Sequence, residues 1–105
     1  MPVSVYIKCD PEKVLGNGEL VQTLRKLKKT ADTTHFVCVE PYVWEYQGDE
    51  SEVVAIGKFD SLLRRMDVLE KFEQYLIRYE NGEIEDALKS HKEVDEHLRK
   101  IGWKK

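Results

Sequence analysis

Two cysteines, three prolines and six glycines are all that 105 residues hold of the types that staple, break or loosen a chain. Cys9 and Cys38 are too few for the disulfide scaffold of a small secreted domain and read as buried thiols. No apolar run approaches the roughly 20 residues of a membrane span. The opening MPVSVYIKCDPEK has neither the basic start nor the long apolar run of a signal peptide, so a cytoplasmic protein without membrane association is expected. A basic excess is also lacking: 17 Lys and Arg stand against 20 Asp and Glu, a formal net charge of −3. A dedicated nucleic-acid binder carries a clear surplus of bases. The sequence holds no GxSxG elbow, no HExxH pair and no phosphate-cradling glycine loop. In SHKEVDEH, His91 and His97 fall on different helix faces, and His35 and Cys38 point to opposite sides of a strand. No metal centre, cofactor or catalytic set is therefore expected.

What is present is a single α+β domain over 1–105, 41% hydrophobic and 35% charged. It is centred on Thr33 to Tyr46, TTHFVCVEPYVWEY. Read with the two-residue period of a strand, this stretch is apolar on both faces. Val37, Val39 and Val43 fall on one side; Phe36, Cys38, Tyr42, Trp44 and Tyr46 fall on the other. A strand with one wet face alternates apolar with polar, so a doubly apolar one needs cover on both sides. Three aromatics of about 150–250 Å² each make that cover worth on the order of 10 kcal/mol gross. Pro41 cannot donate to a ladder, so the strand bulges or ends its first half there.

Around it, Val3, Val5, Ile7 and Cys9 alternate with Ser4, Tyr6 and Lys8 as a half-buried strand. Asp10-Pro11 opens a short turn. A first helix is expected from Glu19 to Thr30, with Leu20, Leu24 and Leu27 inward and Arg25, Lys26, Lys28 and Lys29 in water. Gln47 to Ser51 reads as a turn and Glu52 to Phe59 as the strand closing an antiparallel hairpin. Asp60 or Ser61 then caps a second helix to Asn81, striped by Leu62, Met66, Leu69, Phe72, Leu76 and Tyr79. A third runs from Glu83 to Ile101, through His91, with Gly102 as its left-handed cap and Trp103 closing on Leu98. NGELVQTLRK and NGEIEDALKS look alike because both are helix starts with the same capping chemistry, not because of a repeat.

The expected order is thus β-α-β-β-α-α: a three-stranded, mainly antiparallel sheet with helices packed on it. Its βαββα opening resembles a ferredoxin-like plan truncated by a helix in place of the last strand, and VSVYIKCDPEKV is similar to the start of small dimeric ligand-sensing domains of that class. The reading that follows is a small non-enzymatic interaction or regulatory module. It would be a homodimer, or take a protein partner, through Tyr42, Trp44, Tyr46 and His91. One alternative is a nucleic-acid binder using Arg25, Lys26, Lys28 and Lys29 with those aromatics as a stacking surface. A second is a small enzyme or ligand-binding domain whose site lies between sheet and helices and uses His35 or His91.

Overall fold

The computed structural model describes residues 2–90. Its elements are β1 (Ser4–Cys9), α1 (Asn17–Thr33), β2 (Phe36–Glu40), β3 (Val43–Tyr46), α2 (Glu52–Met66), β4 (Phe72–Arg78) and β5 (Ile84–Asp86). All strands lie in one antiparallel sheet of order β2-β3-β1-β4-β5. A helical turn begins at 87–90, after β5. The remainder of the expected third helix, with His91, the Gly102 cap and the Trp103–Leu98 contact, lies outside the described residues.

β1 is the middle strand, and its sequence explains why. Val3, Val5 and Ile7 are buried on the side where Leu27 and Ala31 of α1 and Ala55, Phe59 and Leu63 of α2 complete one core. A strand in that position leaves backbone groups on both flanks to be paired. β3 serves one flank and β4 the other.

The α+β class and the antiparallel sheet with helices packed on it stand, but three expectations are corrected. The sheet has five strands rather than three. The segment 52–59, expected as a strand, is the first half of α2. Ser51 caps it by accepting from the Val54 amide at 3.4 Å, and Glu52 sits in the first turn. Its continuous apolar, largely β-branched VVAI run resembles a strand, but the buried residues Ala55, Phe59 and Leu63 step by four, the helical period. Finally, the helix expected to Asn81 stops at Met66, where Asp67 turns left-handed at φ 56°. After a short 3₁₀ turn (Leu69–Lys71) the chain becomes β4.

The spacing that imitated a helix there has a physical source. Lys8 pairs with Gln74 and Cys9 with Phe72, so Glu73 is an extra residue in the ladder. A bulge shifts side-chain parity by one. Phe72 and Tyr75 consequently face the same core at a separation of three, as they would on a helix. With β4 in place the chain follows the full β-α-β-β-α-β order of the ferredoxin-like plan, not a truncated one, and adds β5 at the edge.

On α1 the inward face is also rotated from expectation. Thr23, Leu27, Thr30 and Ala31 are buried, whereas Leu20, Val21 and Leu24 are exposed. Thr30 tolerates this because its hydroxyl donates back to the Lys26 carbonyl at 3.0 Å, as that of Thr34, the buried C-cap, does to the Thr30 carbonyl at 2.7 Å. Their methyl groups are left to pack.

Candidate interaction face

Both helices occupy one side of the sheet. The strand residues pointing the other way form rows that can be read from the register. Across the first row run Val37, Glu45, Ser4, Arg78 and Ile84, one from each strand. Across the second run Glu40, Val43, Tyr6, Leu76 and Asp86. Beyond these lie Lys8 and Gln74. Among the described residues no element is laid over this side. Val37, Val39, Tyr42 and Ile84 stand 45%, 46%, 49% and 65% exposed. Tyr6, Val43 and Leu76 between them are half-buried by their neighbours.

Pro41 and Tyr42 are the two residues of the tight turn between Glu40 and Val43, which the ladder pairs. Proline first and a positive φ second is the type II turn pattern, and Tyr42 has φ 68°. That left-handed residue breaks the alternation. Tyr42 meets Tyr6 on the open side, edge to face, with ring centroids 6.1 Å apart. Trp44 and Tyr46 keep to the helix side with Phe36: Trp44 packs half-buried against the core, and Tyr46 is 7% exposed. The three aromatics expected on one surface are therefore divided. Tyr46 offers no stacking platform at all, since its ring lies 5.3 Å from that of Phe36 and its hydroxyl accepts from the Glu50 amide at 2.9 Å.

Arg25, Lys26, Lys28 and Lys29 are all exposed on α1, and Lys28 pairs with Asp32 at 3.2 Å. Neither thiol is fully buried as expected: Cys9 is half-buried, and Cys38 on the edge strand is exposed. β3 lies between β2 and β1, so the two cysteines are not on neighbouring strands. No group of three His, Cys, Asp or Glu side chains suited to a metal exists among the described residues. Nor, among them, is any helix long and apolar enough to cross a membrane.

A second feature lies between sheet and helices. A cavity of about 190 Å³ is lined by Asp60 and Arg64 of α2, Tyr79, Glu85 and Ser90. Its polar groups are already engaged with one another. Tyr75 donates to Asp60 at 2.9 Å, and Arg64 reaches the other Asp60 oxygen at 3.3 Å. Tyr79 and Ser90 both donate to Glu85. Burial first, then the Asp60 carboxylate, pushes the Tyr75 pKa well up. Burial and the bond to Glu85 push that of Tyr79 up to about 12. Two tyrosines that hold their protons this firmly serve as donors, and a mutually satisfied set of this kind is structural in character. His35, expected as a site residue for such a crevice, sits exposed in the α1–β2 connection at φ 62° and does not line it.

Comparison with known protein families, with curated proteins and with solved structures finds no match. The reading of function rests on the open face and its chemistry.

Proposed function

We propose that the protein is a small interaction module whose helix-free sheet face joins two copies of the chain. The observation that supports this is the composition of that face. Val37, Val39, Tyr42 and Ile84 are apolar or aromatic yet stand in water at roughly half exposure or more, and Tyr6, Val43 and Leu76 bridge them into one surface. A sheet with a wet face presents polar residues there, and an apolar surface of this kind ordinarily marks a contact site. A five-stranded face is also a natural half of a sandwich, since two sheets pack face to face at about 10 Å. The aromatic contact expected from the sequence is retained in a different form: Tyr6 and Tyr42, rather than Trp44 and Tyr46, present the rings.

The test is sedimentation equilibrium of the wild type, Val37→Asp and Leu76→Asp. The wild type is expected to be a dimer at micromolar concentration and both variants monomers, because each buries a charge without a partner at the interface. Val37 is exposed in the single chain, so its variant keeps the fold and isolates the effect on association. A wild type that stays monomeric at high micromolar concentration overturns the proposal and leaves the face to another occupant, the chain's own residues beyond 90 included.

A further inference from the structure

The first row of the open face reads, from one sheet edge to the other, apolar, acid, small, base, apolar: Val37, Glu45, Ser4, Arg78, Ile84. Ser4 is on β1, the third of the five strands, so it lies at the centre of the row. Glu45 and Arg78 flank it on either side, each about 4.8 Å away across the ladder. In the second row Val43 and Leu76 flank Tyr6 in the same manner. Neither Glu45 nor Arg78 is in an ion pair among the described residues.

This pattern is self-complementary under one rotation. A two-fold axis running parallel to β1, midway between two facing sheets, exchanges left with right while keeping each row in place. It sets Glu45 of one copy against Arg78 of the other, and Arg78 against Glu45. It also sets Val37 against Ile84 and Val43 against Leu76, with Ser4 and Tyr6 near the axis. An in-plane axis perpendicular to the strands instead lays β3 on β3 and β4 on β4, and neither charge then meets its opposite. Lys8, on β1, meets its own copy near the axis, where Glu73 at 3.7 Å supplies each with a counter-charge. Glu40 and Asp86 are the other like-charged match under the first axis. They sit on the two edge strands, where the twist of packed sheets splays the corners apart and water screens them.

We infer that the occupant of the open face is a second copy related by the axis along β1, with Glu45 and Arg78 forming two reciprocal ion pairs that set its register. This rests on the dimer reading above and adds its geometry. Charge pairs of this kind contribute to orientation and exclude wrong partners more than they add affinity. An isologous contact doubles every such pair, so one substitution produces two like-charge encounters.

The experiment uses Glu45→Arg and Arg78→Glu, alone and mixed. Each variant alone is expected to dimerise at least tenfold more weakly than the wild type, and circular dichroism should show both folded. An equimolar mixture of the two should regain association close to that of the wild type, as a heterodimer. In it, the two substituted side chains meet at one pair with their charges exchanged, and native Arg78 meets native Glu45 at the other. Glu45→Gln and Arg78→Gln, which change little in shape, supply a milder pair should either reversal fail to fold; each should weaken the dimer by a smaller factor. A wild type that is dimeric while the mixture stays monomeric, or while the single variants associate as tightly as the wild type, overturns the axis and leaves the dimer reading standing. A monomeric wild type overturns both.

Discussion

Gly48 shows how much a single side chain's position constrains this chain. A Cβ placed there would lie 2.6 Å from Cζ of Tyr46 and closer still to its hydroxyl. That ring is buried against Phe36, and its hydroxyl is held by the Glu50 amide, so it cannot swing aside. Gly48→Ala is expected to cost about 1–3 kcal/mol, the usual range for overpacking, read as a lowered thermal midpoint. An unchanged midpoint would show that the turn relaxes around the methyl. The tyrosines of the interior give a second expectation, in pH. A hydroxyl whose folded pKa lies above its unfolded value keeps its proton longer in the folded chain, so the unfolded chain deprotonates first. For Tyr79 the window runs from the ordinary 10.0 to about 12, and stability falls as pH rises through it. Tyr75 acts in the same direction, its pKa raised by burial and by Asp60. Tyrosinate absorbance should therefore lag in the native protein behind that of the denatured chain. All five tyrosines ionising together near the ordinary value before unfolding would contradict the bonded arrangement around Asp60 and Glu85.

Among the elements, α2 is where local pattern and tertiary use disagree most. Its N-terminal signals are conventional, with Ser51 as cap and Glu52 in the first turn, and they are readable once the β-branched run of Val53, Val54 and Ile56 is set aside. Gly57 in its middle is the exception. A Cβ there would meet nothing within 4 Å, so no close packing requires the glycine. Gly57→Ala should raise stability by about 0.5–1 kcal/mol, the helix-interior difference between the two residues. A thermal melt checks it, and a loss of stability would mean that α2 needs the freedom glycine provides at that point. The β4 strand illustrates the converse error. Phe72, Tyr75 and Tyr79 are spaced as on a helix because the extra residue Glu73 moves Phe72 onto the core side. No single-segment pattern separates a bulged strand from a helix turn. The hydrogen-bonding demand of β1's second flank does.

At the scale of the whole molecule, the layers put α1 and α2 on one face of the sheet, and among the described residues the opposite face is uncovered. On the proposal above, a second copy covers the apolar residues of that face. On the same proposal, Glu45 and Arg78 set the orientation of that copy. Much of the frame was written locally. The alternation of Val3, Val5 and Ile7, the punctuation at Gly16 to Gly18 and the proline at 41 mark β1, the start of α1 and the end of β2, since each acts through neighbouring backbone alone. The α+β class follows from those signals as well. What residues face was decided only by tertiary structure. Tyr42 left the company of Trp44 and Tyr46 because a tight turn rotated it by one left-handed residue, and segment 72–78 became a strand because β1 needed a partner. Val37 and Ile84, 47 positions apart in the sequence, came to end the same row because four ladders joined them. Period and propensity report on a segment's own backbone. Register, parity after a bulge and the complementarity of a face arise from pairing between distant segments, and they exist only once the sheet has formed.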